Sequence, residues 1–253
     1  MAVGGAQGAD AAVTGGASGI GAATARLLAA RGMRVALLDV RGDAARETAE
    51  EIGHGAFAVE LDVTQAASVG RAFADMEQLS VLVNAAGLVV VDAFEAFSAD
   101  DWRRAHEVNV LGTYRCMVAA LPALRATPAP ARVVNLGSAA GKRAAPLIAP
   151  YAASKAAVMS LTRSAASAWA PDILVNCVSP GLVDTPMWKT IDARLAAIGA
   201  PASARYAQRA RGLPVGRAAT PQEVAAAIAY LCSDGAGAVT GAELDVDAGL
   251  SLT

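Results

Sequence analysis

The chain has 253 residues, 55% of them hydrophobic, 17% charged and 4% aromatic, with 21 basic and 23 acidic side chains. That is ample chain for a buried core and too little charge for a disordered protein, and a net charge of −2 excludes the basic footprint of a nucleic-acid binder or a polybasic membrane patch. Cys116, Cys177 and Cys232 are far apart and odd in number, which excludes a disulfide framework and a CxxC site, and the two histidines, His54 and His106, lack ligand-like spacing, so no metal site is expected.

Residues 1–10 have neither a basic head nor an apolar core, so no signal peptide is read there. The longest apolar stretches are broken by Pro122, Pro146, Pro150 or Arg163, and no membrane span is expected. A soluble, cytoplasmic chain follows as the expectation. Strands are predicted over Ala11–Thr14, Met33–Asp39, Ala56–Asp62, Val81–Asn84, Arg132–Leu136, Ile173–Ser179 and Glu243–Val246. Between them, helical stretches run over Ile20–Arg31, Arg41–Ile52, Ala66–Glu77, Asp100–Leu124, Tyr151–Trp169 and Pro221–Cys232. Short strands, apolar throughout and alternating with helices, predict a single α/β domain over 1–253: a Rossmann-type, doubly wound parallel sheet of about seven strands with helices on both faces. The segment from Gly181 to Arg217 reads as one long irregular stretch with amphipathic fragments such as Trp188–Ile198, and is expected to form a substrate lid at about 183–215.

Thr14-Gly-Gly-Ala-Ser-Gly-Ile-Gly21 follows the first predicted strand and opens the first helix. Glycines let the backbone approach a pyrophosphate, and a helix N-terminus offers it unpaired N–H groups and a positive dipole end. Asp39 ends the next strand, where a carboxylate takes an adenosine ribose; taken alone it reads as a turn or capping residue, but the glycine turn before it favours the cofactor role. A carboxylate there repels a 2′-phosphate and favours NAD over NADP, with nearby Arg41 read as an exposed charge at a helix start. Farther on, Tyr151 and Lys155 lie four apart on one helix face, with Pro150 suited to the helix start. A neighbouring ammonium favours a phenolate and so poises Tyr151 for proton transfer, and Ser138, at the end of the fifth strand, can hold a substrate oxygen beside the phenol.

Taken together these motifs resemble the short-chain dehydrogenase/reductase family, in its compact TGxxxGxG branch, over nearly the whole chain. The match runs through Thr14, Gly15, Gly19 and Gly21; the Asp62-Val63 pair beside the adenine; Asn84-Ala-Ala-Gly87; Asn109; Ser138, Tyr151 and Lys155; Pro180-Gly181 with Val183 and Thr185; and Thr240-Gly241 through Gly249, with Ala248 where glycine is frequent. The resemblance implies a catalytic set of Asn109, Ser138, Tyr151 and Lys155, with Asn109 holding a water of a proton relay. It implies a coenzyme site drawing on Gly15, Ser18, Gly19, Ile20, Gly21, Asp39, Asp62, Val63, Asn84, Ala85, Gly87, Tyr151, Lys155, Pro180, Gly181, Val183 and Thr185. It also implies hydride exchange between a nicotinamide and a carbinol or carbonyl carbon, and a homotetramer pairing the helices over Asp100–Leu124 and Tyr151–Trp169.

Rival readings are a non-catalytic dinucleotide sensor, disfavoured by the presence of both Tyr151 and Lys155, and a 3-hydroxyacyl or 3-oxoacyl thioester enzyme, disfavoured by the absence of a basic residue from the glycine turn. The substrate wall, expected from Ala139, Ala140, Ala144, Ala145 and Leu147 on one side, Leu88 to Val91 opposite, and Met187, Trp188, Ile191 and Leu195 of the lid, is almost free of hydrogen-bonding groups. It predicts a largely apolar, cyclic or bulky secondary alcohol or its ketone. Lys142 and Arg143 dissent, because turned inward they would favour an anionic substrate.

Overall fold

The computed structural model describes residues 10–252; the sequence reading of residues 1–9 lies outside them. The seven predicted strands form one all-parallel sheet in the order β3-β2-β1-β4-β5-β6-β7. They are β1 (Ala11–Thr14), β2 (Val35–Asp39), β3 (Phe57–Glu60), β4 (Val81–Asn84), β5 (Ala131–Leu136), β6 (Ile173–Pro180) and β7 (Glu243–Val246). The helices are α1 (Gly19–Ala30), α2 (Gly42–Ile52), α3 (Ala66–Phe73), α4 (Ala99–His106), α5 (Gly112–Arg125), α6 (Ala149–Trp169), α7 (Pro186–Ala197), α8 (Tyr206–Arg211) and α9 (Pro221–Leu231).

Successive strand residues point to opposite sheet faces, which partitions the apolar runs into two cores. Ala12, Ala36, Leu38, Leu82, Val133 and Val175 pack with residues of α3, α5 and α6. Ala11, Val13, Val35, Leu37, Val83 and Val178 pack with α1, α2 and α9 on the other face. Both faces are covered, so both alternating sets had to be apolar.

The structure departs from the sequence reading in several places. The strands expected to start at Met33 and Ala56 begin two and one residues later, and the helix expected to reach Glu77 ends at Phe73. The single helix expected over Asp100–Leu124 is α4 and α5 joined by a π-helical turn, Glu107–Leu111. Nor is Gly181–Arg217 irregular, for it carries α7 and α8. Thr185 and Pro186 start α7, a cap position followed by a proline whose fixed φ suits the first turn.

The chain leaves β1 toward β2 on one side and later places β4 on the other. The crevice above the carboxyl ends of β1 and β4 is therefore the switch point at which open α/β sheets hold ligands. Among the described residues no helix is long and apolar enough to cross a membrane, and no group of three or more His, Cys, Asp or Glu could hold a metal ion.

Candidate active site

A cavity of about 690 Å³ opens along the carboxyl ends of the strands, a size typical of small-molecule and cofactor sites. One end is built by the glycine turn. Gly15 has φ +67°, and a Cβ on it would come within 2.8 Å of the Ala86 nitrogen; a Cβ on Gly21 would stand 2.1 Å from the Gly15 carbonyl oxygen. Only glycine allows this backbone to pack so closely while presenting the start of α1 to the cavity. Thr14 holds the neighbouring loop in place, its hydroxyl accepting from the Ala85 and Ala86 N–H groups at 3.1 Å each. Ser18 makes no side-chain capping bond to α1, which leaves the helix's first amides free for an anion.

Asp39 lies beside this turn, 7% exposed. Its carboxylate accepts from the Ala17 N–H at 3.1 Å and the Arg41 N–H at 3.0 Å. Arg41, read from sequence as an exposed charge at a helix start, is exposed at the start of α2 and also reaches back: its Nε lies 3.4 Å from Asp39, and its Nη2 donates to the Ser18 hydroxyl at 2.9 Å. The reason is Coulombic, since a half-exposed guanidinium gains by closing on a nearly buried carboxylate. Asp62 and Val63 line the same end, with the Asp62 carboxylate turned to the Thr64 N–H and hydroxyl at 2.9 and 2.7 Å.

At the other end Ser138, Tyr151 and Lys155 converge on the cavity. Ser138 follows β5 and its hydroxyl accepts from the Ala140 N–H at 3.2 Å. Tyr151 and Lys155 sit one turn apart in the first half of α6, with the Lys155 Nζ 5.7 Å from the phenol ring centre. Burial raises the Tyr151 phenol above its ordinary value of 10, and a hydrogen bond with Ser138 pulls it partly back. Burial lowers Lys155 to about 8, and its Nζ donates to the Leu136 carbonyl at 2.7 Å. The Lys155 ammonium was expected to lower the phenol; burial instead raises it, and the opposing pull comes from Ser138.

Nearly all the sequence-predicted site residues border this one cavity: Gly15, Ser18, Gly19, Ile20, Gly21, Asp39, Asp62, Val63, Ala85, Gly87, Ser138, Ala140, Leu147, Tyr151, Lys155, Pro180, Gly181, Val183, Thr185, Met187 and Trp188. Two do not. Asn84, expected in the coenzyme site, is buried and donates to the Asn135 side chain at 2.8 Å, tying β4 to β5 beneath the cavity floor. Asn109, expected in the catalytic set, is wholly buried in the π-helical turn. Its amide donates to the Leu88 carbonyl at 2.9 Å and the Ser154 hydroxyl at 2.8 Å, and its oxygen accepts from the Leu88 N–H. The side chain therefore fixes the loop after β4 to α6.

Of the expected wall, Ala139, Ala140, Ala144, Ala145 and Leu147 face the cavity, whereas from Leu88 to Val91 only Val89 does. Val91 is buried in a small core with Ile191 and Leu195, which, as expected of the wall, also line the cavity. Lys142 turns away to Glu243 at 3.0 Å and Asp245 at 2.5 Å, while Arg143 lines the cavity. Sequence reasoning missed Arg209 of α8, which also lines it; no local spacing links it to the residues it joins.

The cradle suits a nicotinamide dinucleotide: a glycine turn with free helix amides, a carboxylate beside it, and a hydroxyl–phenol–amine group at the far end. A family model described as enoyl-(acyl carrier protein) reductase matches residues 15–251. The chain is 42% identical to a cis-4-hydroxycyclohexanecarboxylate dehydrogenase of Sinomonas cyclohexanicum, with 94% of each chain covered. It is 34% identical to a sorbitol dehydrogenase of Cereibacter sphaeroides, covering 96% of this chain and 97% of that one. Among solved structures, an actinorhodin polyketide ketoreductase with NADPH superposes with a TM-score of 0.90 at 31% identity, covering 97% of this chain and 98% of that one. With the site, the sheet order and these relatives in agreement, the chain belongs to the short-chain dehydrogenase/reductase family and is an oxidoreductase of CH–OH groups.

Proposed function

We propose that the protein is an NAD-dependent dehydrogenase of a cyclic, largely apolar secondary alcohol, also able to reduce the matching ketone. The observation that carries this reading is the composition of the cavity next to Ser138 and Tyr151, where Ala139, Ala140, Ala144, Ala145, Leu147, Val89, Met187 and Trp188 leave few hydrogen-bonding groups. Such a wall gains from burying hydrocarbon at roughly 25 cal/mol per Å² and strands a polyol's hydroxyls at about 1–3 kcal/mol each. The cyclohexane-ring relative fits this wall better than the sorbitol relative does.

When bound, the dinucleotide supplies a hydride acceptor or donor. Gly15, Ser18, Gly19, Ile20 and Gly21 would hold its pyrophosphate end, Asp39 its adenosine ribose, Asp62 and Val63 its adenine, and Pro180, Gly181, Val183 and Thr185 its nicotinamide end. Ala85 and Gly87 would border its middle. Ser138 orients the substrate oxygen, Tyr151 takes or gives the hydroxyl proton, and Lys155 supplies positive charge beside the phenol and binds ribose hydroxyls. Asn109 is a positioning residue for the loop against which the substrate rests. NAD is favoured because Arg41 is already engaged by Asp39 and Ser18, so accepting a 2′-phosphate would require breaking those contacts beside a carboxylate. The segment 183–215 acts as a lid, held by the Arg194 guanidinium on the Asp92 carboxylate and, at 3.1 Å, on the Val91 carbonyl. A homotetramer and a cytoplasmic setting complete the proposal, the latter in keeping with three free thiols.

Steady-state kinetics with cyclohexanol, a sugar alcohol and a 3-hydroxyacyl thioester, each with NAD and NADP, tests the reading. The highest kcat/KM is expected for cyclohexanol with NAD. A higher value for either polar substrate would overturn the substrate class, and a preference for NADP would overturn the coenzyme.

A further inference from the structure

The cavity wall carries charge in a pattern that an apolar alcohol alone does not use. Among the described residues its carboxylates are Asp39 and Asp62, both at the end beside the glycine turn. Near the lid the charged lining groups are Arg143, after the Ser138 turn, and Arg209 of α8. Neither has an ion-pair partner or a side-chain hydrogen bond among the described residues, although the chain's other cavity-facing arginine, Arg41, has both. Arg209 is half-buried, with its guanidinium carbon 5.6 Å from the centre of the Trp188 ring, and that ring packs on Tyr206 at 5.5 Å. Burial and the like charge of Arg143 both lower the Arg209 pKa. Two guanidinia that repel each other at the edge of a pocket, one of them stacked in place, form a receptor lacking its anion.

We propose that Arg143 and Arg209 bind a carboxylate on the substrate, remote from its carbinol, so that the preferred substrate is an alicyclic hydroxy acid. This inference rests on the alicyclic-alcohol reading above and deepens it. The carbinol oxygen sits between Ser138 and Tyr151, the hydrocarbon ring lies against the alanine wall and Trp188, and the carboxylate reaches the arginine pair under the lid. Both guanidinia donate forked N–H pairs, which match the two oxygens of a carboxylate; a neutral carboxamide of the same size offers one acceptor and carries no charge. Selectivity for the anion thus arises at the end of the cavity opposite the glycine turn, away from the bond being oxidised.

The test compares 4-hydroxycyclohexanecarboxylate with 4-hydroxycyclohexanecarboxamide in the NAD-bound enzyme. The acid is expected to show a kcat/KM about tenfold or more above that of the amide. The acid-to-amide ratio should fall toward one in Arg143→Gln and Arg209→Gln, and Arg209→Lys should restore part of it. A second measurement does not depend on turnover: calorimetric titration of the NADH complex with cyclohexanecarboxylate and with cyclohexanecarboxamide. The carboxylate is expected to bind about tenfold tighter, with that margin lost in both glutamine variants. A ratio near one in the unaltered enzyme, or a ratio unchanged by both glutamine substitutions, would overturn the proposal. Failure to oxidise either alcohol while the binding preference persists would instead overturn the alicyclic dehydrogenase reading and leave the anion site standing.

Discussion

Lys155 is 4% exposed and holds its ammonium against one carbonyl, so the folded chain favours the neutral amine. Its pKa falls from 10.5 to about 8, and the sign of the linkage follows. Below pH 8 both folded and unfolded chains carry the proton and the burial penalty, on the order of 3 kcal/mol, is felt in full. Between 8 and 10.5 the unfolded chain binds the proton more strongly, so this residue's penalty fades as pH rises. Lys155→Met removes the penalty but leaves the Leu136 carbonyl without its donor at ~1–3 kcal/mol. Denaturant unfolding at pH 7 and pH 10 should show wild type gaining roughly 2 kcal/mol on the variant; a pH-independent difference would contradict the buried amine. Tyr151 shifts the other way, since its raised pKa keeps the phenol protonated at neutral pH. Ketone reduction, which needs the proton, should therefore hold up near pH 7, while kcat/KM for alcohol oxidation climbs into the alkaline range. Tyr151→Phe should abolish both directions with Kd for NADH nearly unchanged, and more than a few per cent residual activity would mean another group exchanges the proton. The residue types at this end were legible because strand-end and helix-start spacing brings them together; their ionisation was not, because it depends on burial that no local pattern reports.

The elements divide in the same way. Strand positions were readable because each apolar run faces a helical layer on both sides. The π-helical turn at Glu107–Leu111 was not, since it is stabilised by bonds from Asn109 to Leu88 and Ser154, 21 and 45 residues away in sequence. In the segment after β6, Thr185-Pro186 carried a readable helix start that the glycines and prolines around it obscured. Ala248, standing where the family often has glycine, has φ +55°. A Cβ in that left-handed region costs about 1–2 kcal/mol, against roughly 0.5–1 kcal/mol of extra chain entropy lost by glycine on folding. Ala248→Gly should therefore stabilise the protein by about 0.5 kcal/mol, raising Tm by roughly 1–2 °C. A lower Tm in a thermal melt would show that the Ala248 methyl, which packs beside Leu182, Leu213 and Leu250, is worth more than the strain it carries.

At the scale of the molecule, strand alternation and one switch point placed residues from Gly15 to Leu250 around a single cavity. That convergence follows from the doubly wound topology and was foreseeable once the strand order was. What the sheet does not explain is a face turned away from it. On the π-helical turn and α5, Leu111, Tyr114 and Val118 are 42%, 50% and 44% exposed, at a spacing that sets them along one helical side. Beside them α6 presents small residues, Ala153, Ala156 and Ala157 half-buried and Ser160 and Ser164 exposed, which would let a second backbone approach closely. Apolar side chains held in water on one stripe gain roughly 25 cal/mol for each Å² they bury, so this stripe is where copies of the chain should meet. Sedimentation velocity should give a particle near four times the 25.3 kDa chain mass, and Tyr114→Glu with Val118→Glu, which places charge on that stripe, should shift it to smaller species without loss of fold. A wild-type protein that sediments as a single chain at micromolar concentration would remove this face from the assembly and leave its exposed side chains without a role.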